Sequence, residues 1–187
     1  FSTVVPGDIK YKDVNGDGTI DSNDQIAIGY STVAPEIYYS FHLGAEWRGI
    51  GFSAMFQGTA NYSAVLNTKR PLINNTTLSS HYYENRWTPE NLNAKYPRLS
   101  SQSNANNYQT NTIWLEDRSF LKLRNVELYY KFPKNLMQKT KILGSAKLYV
   151  RGVDLLCFDK IDVADPESYG ATNPLNKSVV VGLKIGF

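Results

Sequence analysis

The residues best placed to do chemistry lie in one short run near the start of the sequence. Asp13-Val14-Asn15-Gly16-Asp17-Gly18-Thr19-Ile20-Asp21-Ser22-Asn23-Asp24 matches the twelve-residue loop pattern of an EF-hand. Side-chain oxygens stand at the first, third, fifth, ninth and twelfth places (Asp13, Asn15, Asp17, Asp21 and Asp24), and the seventh offers the Thr19 carbonyl. Alternate side chains can then converge on a hard cation, which takes roughly 6–8 oxygens. Gly18 occupies the place where the backbone must turn sharply, and Ile20 supplies an apolar anchor. Four carboxylates this close repel one another unless a cation sits among them. The spacing therefore predicts a structural Ca²⁺ site on Asp13, Asn15, Asp17, Thr19 and Asp24, with Asp21 binding directly or through water. Asp24 replaces the usual bidentate Glu and reaches less far, so the predicted affinity is about 10⁻⁴–10⁻³ M. No nucleophile or base accompanies the loop, so its expected role is to brace the chain.

Little else in the sequence suggests a reaction. GxSxG, HExxH, P-loop and dinucleotide-binding patterns are missing, and Glu116-Asp117, adjacent in a strand, would point to opposite faces. One cysteine, Cys157, and two histidines, His42 and His81, leave no disulfide framework and little for a His- or Cys-based metal centre. An enzyme is not expected. Twenty basic against 17 acidic side chains give a net charge of +3, too balanced to point to nucleic acid. Asp162, Asp165 and Glu167, around Pro166, read as an acidic loop in water. Tyr82, Tyr83, Trp87, Tyr108 and Trp114 sit in or near a polar segment with eleven Asn between Asn61 and Asn111. Aromatics in such a setting suit stacking on a sugar or contact with a protein partner.

The elements that must carry these residues are strands. From Glu36 to Arg48, Ile37, Tyr39, Phe41, Leu43, Ala45 and Trp47 alternate with polar or small residues. Ile50 to Gly58 alternates in the opposite parity, and Arg48-Gly49 between the two is short enough for a tight hairpin. Leu121 and Leu123 share one parity while Val126, Leu128 and Tyr130 take the other, a flip that predicts a β-bulge at Arg124-Asn125. Pro133 to Gly144 forms a basic connector with Lys134, Lys139 and Lys141. Alternation resumes at Ala146, Leu148 and Val150, and again from Val179 to Phe187. The fold class read from this is all-β, about five long antiparallel strands with long loops at 59–112 and 154–176.

Length and asymmetry then suggest a setting. A transmembrane strand needs roughly 9–11 residues, and the stretches 36–48, 119–132 and 177–187 reach that. Short joins at one end, long polar loops at the other, and aromatics gathered at the level of Trp47, Tyr130 and Phe187 fit the wall of an outer-membrane barrel. The rival is a secreted, calcium-stabilised β-sandwich that binds carbohydrate. Five strands cannot close a barrel, since about eight is the smallest usual number. The remaining strands are then expected upstream of Phe1 or from another chain. On this view 1–35 is an outer loop with the calcium motif, and 36–187 supplies barrel strands and extracellular loops.

Several segments taken in order resemble the C-terminal end of the SusC/RagA family of TonB-dependent outer-membrane transporters. They are Gly7 to Gly18 with Asp24 and Ile28-Gly29, Pro35 before an aromatic strand, and Phe56-Gln57-Gly58. Arg86 to Asn91, Tyr96 to Leu99 and Ser119 to Leu128 follow, then Leu148 to Leu155, Asp165-Pro166-Glu167 and the terminal Phe187. The resemblance implies the last part of a 22-strand barrel in the cell outer membrane, with a plug domain upstream. It implies import of oligosaccharide or peptide with a SusD-like surface lipoprotein as lid. Energy would come from the TonB complex, reached only through N-terminal parts outside these residues. The acidic loop also resembles half of a dockerin repeat, but Gly29 and Pro35 interrupt the helix a dockerin needs and there is no second copy.

Overall fold

A computed structural model describes residues 4–65, 78–100, 104–140, 142–161, 164–168 and 175–187. Its main body is a five-stranded antiparallel sheet. Strands β1 (Ile37–Trp47) and β2 (Ile50–Ala60) are followed by the short β3 (Ser63–Val65) and β4 (Leu115–Asp117). Then come β5 (Phe120–Lys131), β6 (Ser145–Asp159) and β7 (Ser178–Gly186). The large sheet runs β1-β2-β5-β6-β7, and β3 pairs with β4 alone. Two short helices, α1 (Ser80–Glu84) and α2 (Lys134–Lys139), lie in the connections.

Local chemistry accounts for the register. Arg48 and Gly49 both take positive φ, 50° and 87°, so the first hairpin closes on a two-residue turn whose twist matches its strands. Against β2 the register shifts so that Arg124, between Leu123 and Asn125, is the extra residue where the alternation flips. In turn β6 sets two residues, Asp154 and Leu155, opposite it. Against it β6 places Asp154 at φ 50°, and Arg124 Nη1 meets Asp154 Oδ1 at 2.9 Å. The paired irregularity lets β6 continue to Asp159. The loops therefore begin later than the alternation suggested, after Ala60 and after Asp159.

Cross-strand partners point to the same face, so the register sorts side chains into two populations. One face carries the rows Trp47–Ile50–Tyr130–Leu148–Leu183, Ala45–Phe52–Leu128–Val150–Val181 and Leu43–Ala54–Val126–Gly152–Val179. Beyond the bulge it continues as Phe41–Phe56–Leu123–Leu156, with the Phe41 and Phe56 rings stacked at 4.8 Å. Most of these side chains are exposed. A surface this continuous and apolar is far larger than monomeric proteins leave open to water.

The opposite face is polar and cross-linked. Glu127 accepts from Lys147 at 2.6 Å and Arg151 at 2.8 Å, while Glu46 accepts from Tyr129 at 2.7 Å and Lys131 at 2.6 Å. Tyr129 and Tyr149 lie flat over their cross-strand partners Gly51 and Gly182, where a Cβ would meet the ring within 2.4 Å.

Candidate functional site

The aromatic and Asn-rich residues singled out in the sequence gather at the long-loop end of the sheet. There 4–11 runs alongside 78–100 and 104–114, and they fold together around Ile9, Tyr82, Tyr96 and Trp114. Tyr82, Tyr96 and Trp114 stack with centroids 5.3–6.0 Å apart, and Tyr108 lies on Trp114 at 6.2 Å. Tyr82 is 0% and Trp114 1% exposed. This corrects the reading of Tyr82 and Trp114 as contact residues: they are the core of a folded loop module, against which Tyr108 packs half-buried. Of the five aromatics, Tyr83, with Arg86 stacked 3.6 Å over its ring, and the half-buried Trp87 and Tyr108 reach the surface. Trp87 and Tyr96 line a shallow cleft of about 310 Å³ with Lys10 and Lys95.

The Asn-rich segment is where pattern reading missed most. Asp8 Oδ1 accepts from Arg98 Nε at 2.8 Å, Asn104 Nδ2 at 2.9 Å and Asn107 Nδ2 at 2.8 Å. Asn107 Oδ1 accepts from the Ile9 amide and Asn106 Nδ2 donates to the Ile9 carbonyl, each at 2.8 Å. The two Asn side chains serve Ile9 as a neighbouring strand would, supplying one acceptor and one donor. Trp114 Nε1 donates to the Asn107 carbonyl at 2.8 Å, tying this network to the aromatic core. Burial penalises the Asp8 carboxylate, yet the Val5 amide, Asn107 and Arg98 outweigh that and hold its pKa below the ordinary value of 3.8.

A second node joins the β6–β7 loop to the polar face. Lys122, 2% exposed, donates to Asp165 and Glu167, each at 2.8 Å. Arg124 holds Glu167 as well, and Arg118 Nε donates to the Pro166 carbonyl at 2.5 Å. Burial opposes charge on Asp165 and Glu167, but bonds from Lys122 and the Glu167 amide to Asp165, and from Arg124 and Lys122 to Glu167, keep both carboxyls below their ordinary range. Asp165 and Glu167 are thus clamps rather than members of a solvated loop; Asp162 lies outside the described residues.

The acidic loop is ordered by its own backbone. Asp13 accepts from the amides of Gly16 at 2.6 Å and Gly18 at 2.8 Å, and Asn15 Oδ1 from that of Asp17 at 2.9 Å. Asp17 accepts from the Thr19 amide at 2.8 Å and Asp21 from the Asn23 amide at 2.7 Å. Asp24 accepts from Val14 at 2.7 Å and Asp21 at 2.9 Å; the amides of Asp21 and Val14 depress its pKa. Gly18 takes φ 81°, as the predicted sharp turn requires. The donor types suit calcium, but among the described residues no three carboxylate, His or Cys side chains converge as a metal-binding group. What stands there is a ladder of Asx turns.

No family model matches the chain. Sequence relatives do. TonB-dependent receptor P26 of Formosa agariphila is 29% identical over 174 residues, covering 87% of this chain. The chain is homologous to TonB-dependent receptors. Receptor P3 of the same organism is 27% identical over 182 residues, covering 97%. Among solved structures, the RagAB peptide transporter superposes over 90% of the chain with a TM-score of 0.69 and 27% identity. The RagAB importer in its closed-closed state gives 0.65 and 26% over 91%. These relatives are receptors and transporters, not enzymes. The chain spans 16% and 18% of the lengths of P26 and P3, and 19–20% of the two RagAB chains.

Proposed function

We propose that this chain is the C-terminal wall and outer-loop portion of an outer-membrane importer of SusC type. It works as part of a 22-strand barrel that takes up glycans or peptides with a SusD-like lid lipoprotein. The observation that carries this reading is the five-stranded sheet with one continuous, exposed apolar face and one polar, ion-paired face. Lipid explains the first and a water-filled lumen the second. A five-stranded sheet whose apolar side stays exposed among the described residues is poor support for a β-sandwich. The likeness to the RagAB peptide transporter favours peptide as the cargo. The folded module of 4–11, 78–100 and 104–114 crowns the long-loop rim, where contact with a lid is geometrically open. Energy coupling belongs to a plug and TonB-contacting segment upstream.

The test is topological. Protease added to intact cells should cut within the loops 59–112 or 154–176, at exposed sites such as the turn around Leu92. Cleavage only after the outer membrane is breached would reverse the orientation and remove the lid from the proposal.

For the acidic loop the reading is a weak structural calcium site, supported by the oxygen spacing and the turn at Gly18. Millimolar Ca²⁺ should slow proteolysis within 8–28 with a midpoint of about 10⁻⁴–10⁻³ M, and Mg²⁺, which demands stricter octahedral geometry, should not. Equal cutting with either cation would leave the Asx turns as the whole account of this loop.

A further inference from the structure

The short-turn end of the sheet carries an unbalanced group of cations. Lys131, Lys147 and Lys184 are direct cross-strand neighbours on β5, β6 and β7. Like charges set opposite one another are destabilising, so such a row calls for compensation. Glu46 meets Lys131 and Glu127 meets Lys147, each at 2.6 Å. Lys184 has no ion-pair partner among the described residues; nor do Lys134, which opens the basic connector, and Arg48, which lies 4.6 Å over the Trp47 ring.

All five cations line one groove of about 550 Å³, and no Asp or Glu lines it. The rest of its wall includes Phe132, Ala146 and Ile185. Ala146 and Ile185 are cross-strand partners on the apolar face, so the groove reaches from the charged face across the rim to the lipid-facing one. A ligand that fits must be anionic at one end and apolar at the other. The groove also lies at the level of Trp47 and Tyr130, the aromatic belt where lipid headgroups sit.

We propose that this groove binds the headgroup of an anionic phospholipid. The phosphate lies against Arg48, Lys134 and Lys184, and the glycerol and upper acyl chain lie against Phe132 and Ile185. The inference rests on the membrane-wall reading given above. It gives the basic connector, otherwise idle, the job of holding the rim at a fixed depth.

The test uses the whole receptor, purified folded in detergent and titrated with phosphatidylglycerol, phosphatidylcholine or inorganic phosphate, with bound lipid counted by native mass spectrometry. Each basic residue near an anionic lipid is worth about fivefold, so Arg48→Gln, Lys134→Gln and Lys184→Gln together should weaken phosphatidylglycerol retention roughly a hundredfold. Lys134→Gln alone, at an exposed position where folding is not at stake, should weaken it about fivefold. Phosphatidylcholine retention should be unchanged. Heat-modifiable gel mobility reports separately whether the receptor is a folded barrel, so failure of the wall reading is seen apart from failure of the lipid site. Equal phosphatidylglycerol retention by wild type and triple variant overturns the proposal, as does displacement of the lipid by millimolar inorganic phosphate. Carbodiimide coupling of Lys184 to a carboxylate outside residues 1–187, with no lipid bound, assigns the groove to an acidic protein segment and overturns it too.

Discussion

Leu183→Arg and Val181→Arg should both destabilise the barrel, Val181→Arg by about 2–4 kcal/mol, the penalty for a cation facing lipid near the midplane. Leu183→Arg should cost less, because its row reaches the aromatic belt at Trp47 and Tyr130. Both residues sit mid-strand in β7, 57% and 69% exposed, in rows that are apolar from one edge of the sheet to the other. No carboxylate stands in those rows to take the charge. Lys184→Leu, one residue away on the opposite face, should change stability by under about 1 kcal/mol, because it removes a solvated charge rather than burying one. Denaturant unfolding of the receptor from lipid vesicles measures both. Equal tolerance of Val181→Arg and Lys184→Leu would mean that the apolar face meets something other than lipid.

Asp8→Ala should release the loop module. The Asp8 side chain is 1% exposed and receives Arg98, Asn104 and Asn107, so its loss leaves a guanidinium and two amides without their acceptor. Removing one partner of a buried pair costs about 3–5 kcal/mol. Arg98 is 30% exposed and can turn to water, which brings the expected cost to about 2–3 kcal/mol. Asp8→Asn keeps the shape and should cost less than Asp8→Ala, while still placing an amide against the amides of Asn104 and Asn107. The same group makes the module acid-sensitive. Its folded pKa lies below the ordinary 3.8, so its stabilisation is complete above that value and is lost as pH falls from there through the folded pKa. Hydrogen exchange at Ile9 and Trp114 against pH reads this directly. Exchange that stays flat on acidification while the barrel remains folded would remove Asp8 as the anchor.

How far the sequence foretold all this depends on the separation of the partners. The hairpin at Arg48-Gly49, the bulge at Arg124 and the apolar rows were legible because strand pairing imposes a local period of two. The end of β6 was not, since the kink at Asp154 breaks that period and only its Arg124 partner shows the strand continuing. The Asp8 network joins residues 90 to 99 positions apart through single side chains, which leaves no period to read. Tyr82 and Trp114 were misjudged for a related reason: their neighbours in sequence are polar, and the aromatics that bury them come from elsewhere in the loop. The clamp on Asp165 and Glu167 likewise depends on Lys122 pointing inward at the rim.

The use of Asn side chains as substitute backbone sets a clock on the loop. An asparagine amide hydrolyses with age to a carboxylate, changing one atom and the sign of one hydrogen bond. At Asn107 the change would turn the donor that meets Asp8 at 2.8 Å into a second acceptor, with two negative oxygens facing one another in a buried place. The same fold that fixes Asn107 with Ile9 and Trp114 denies its backbone the freedom this hydrolysis needs. Damage should therefore enter only through brief opening of the module, so the lifetime of the module is set by how rarely that opening occurs.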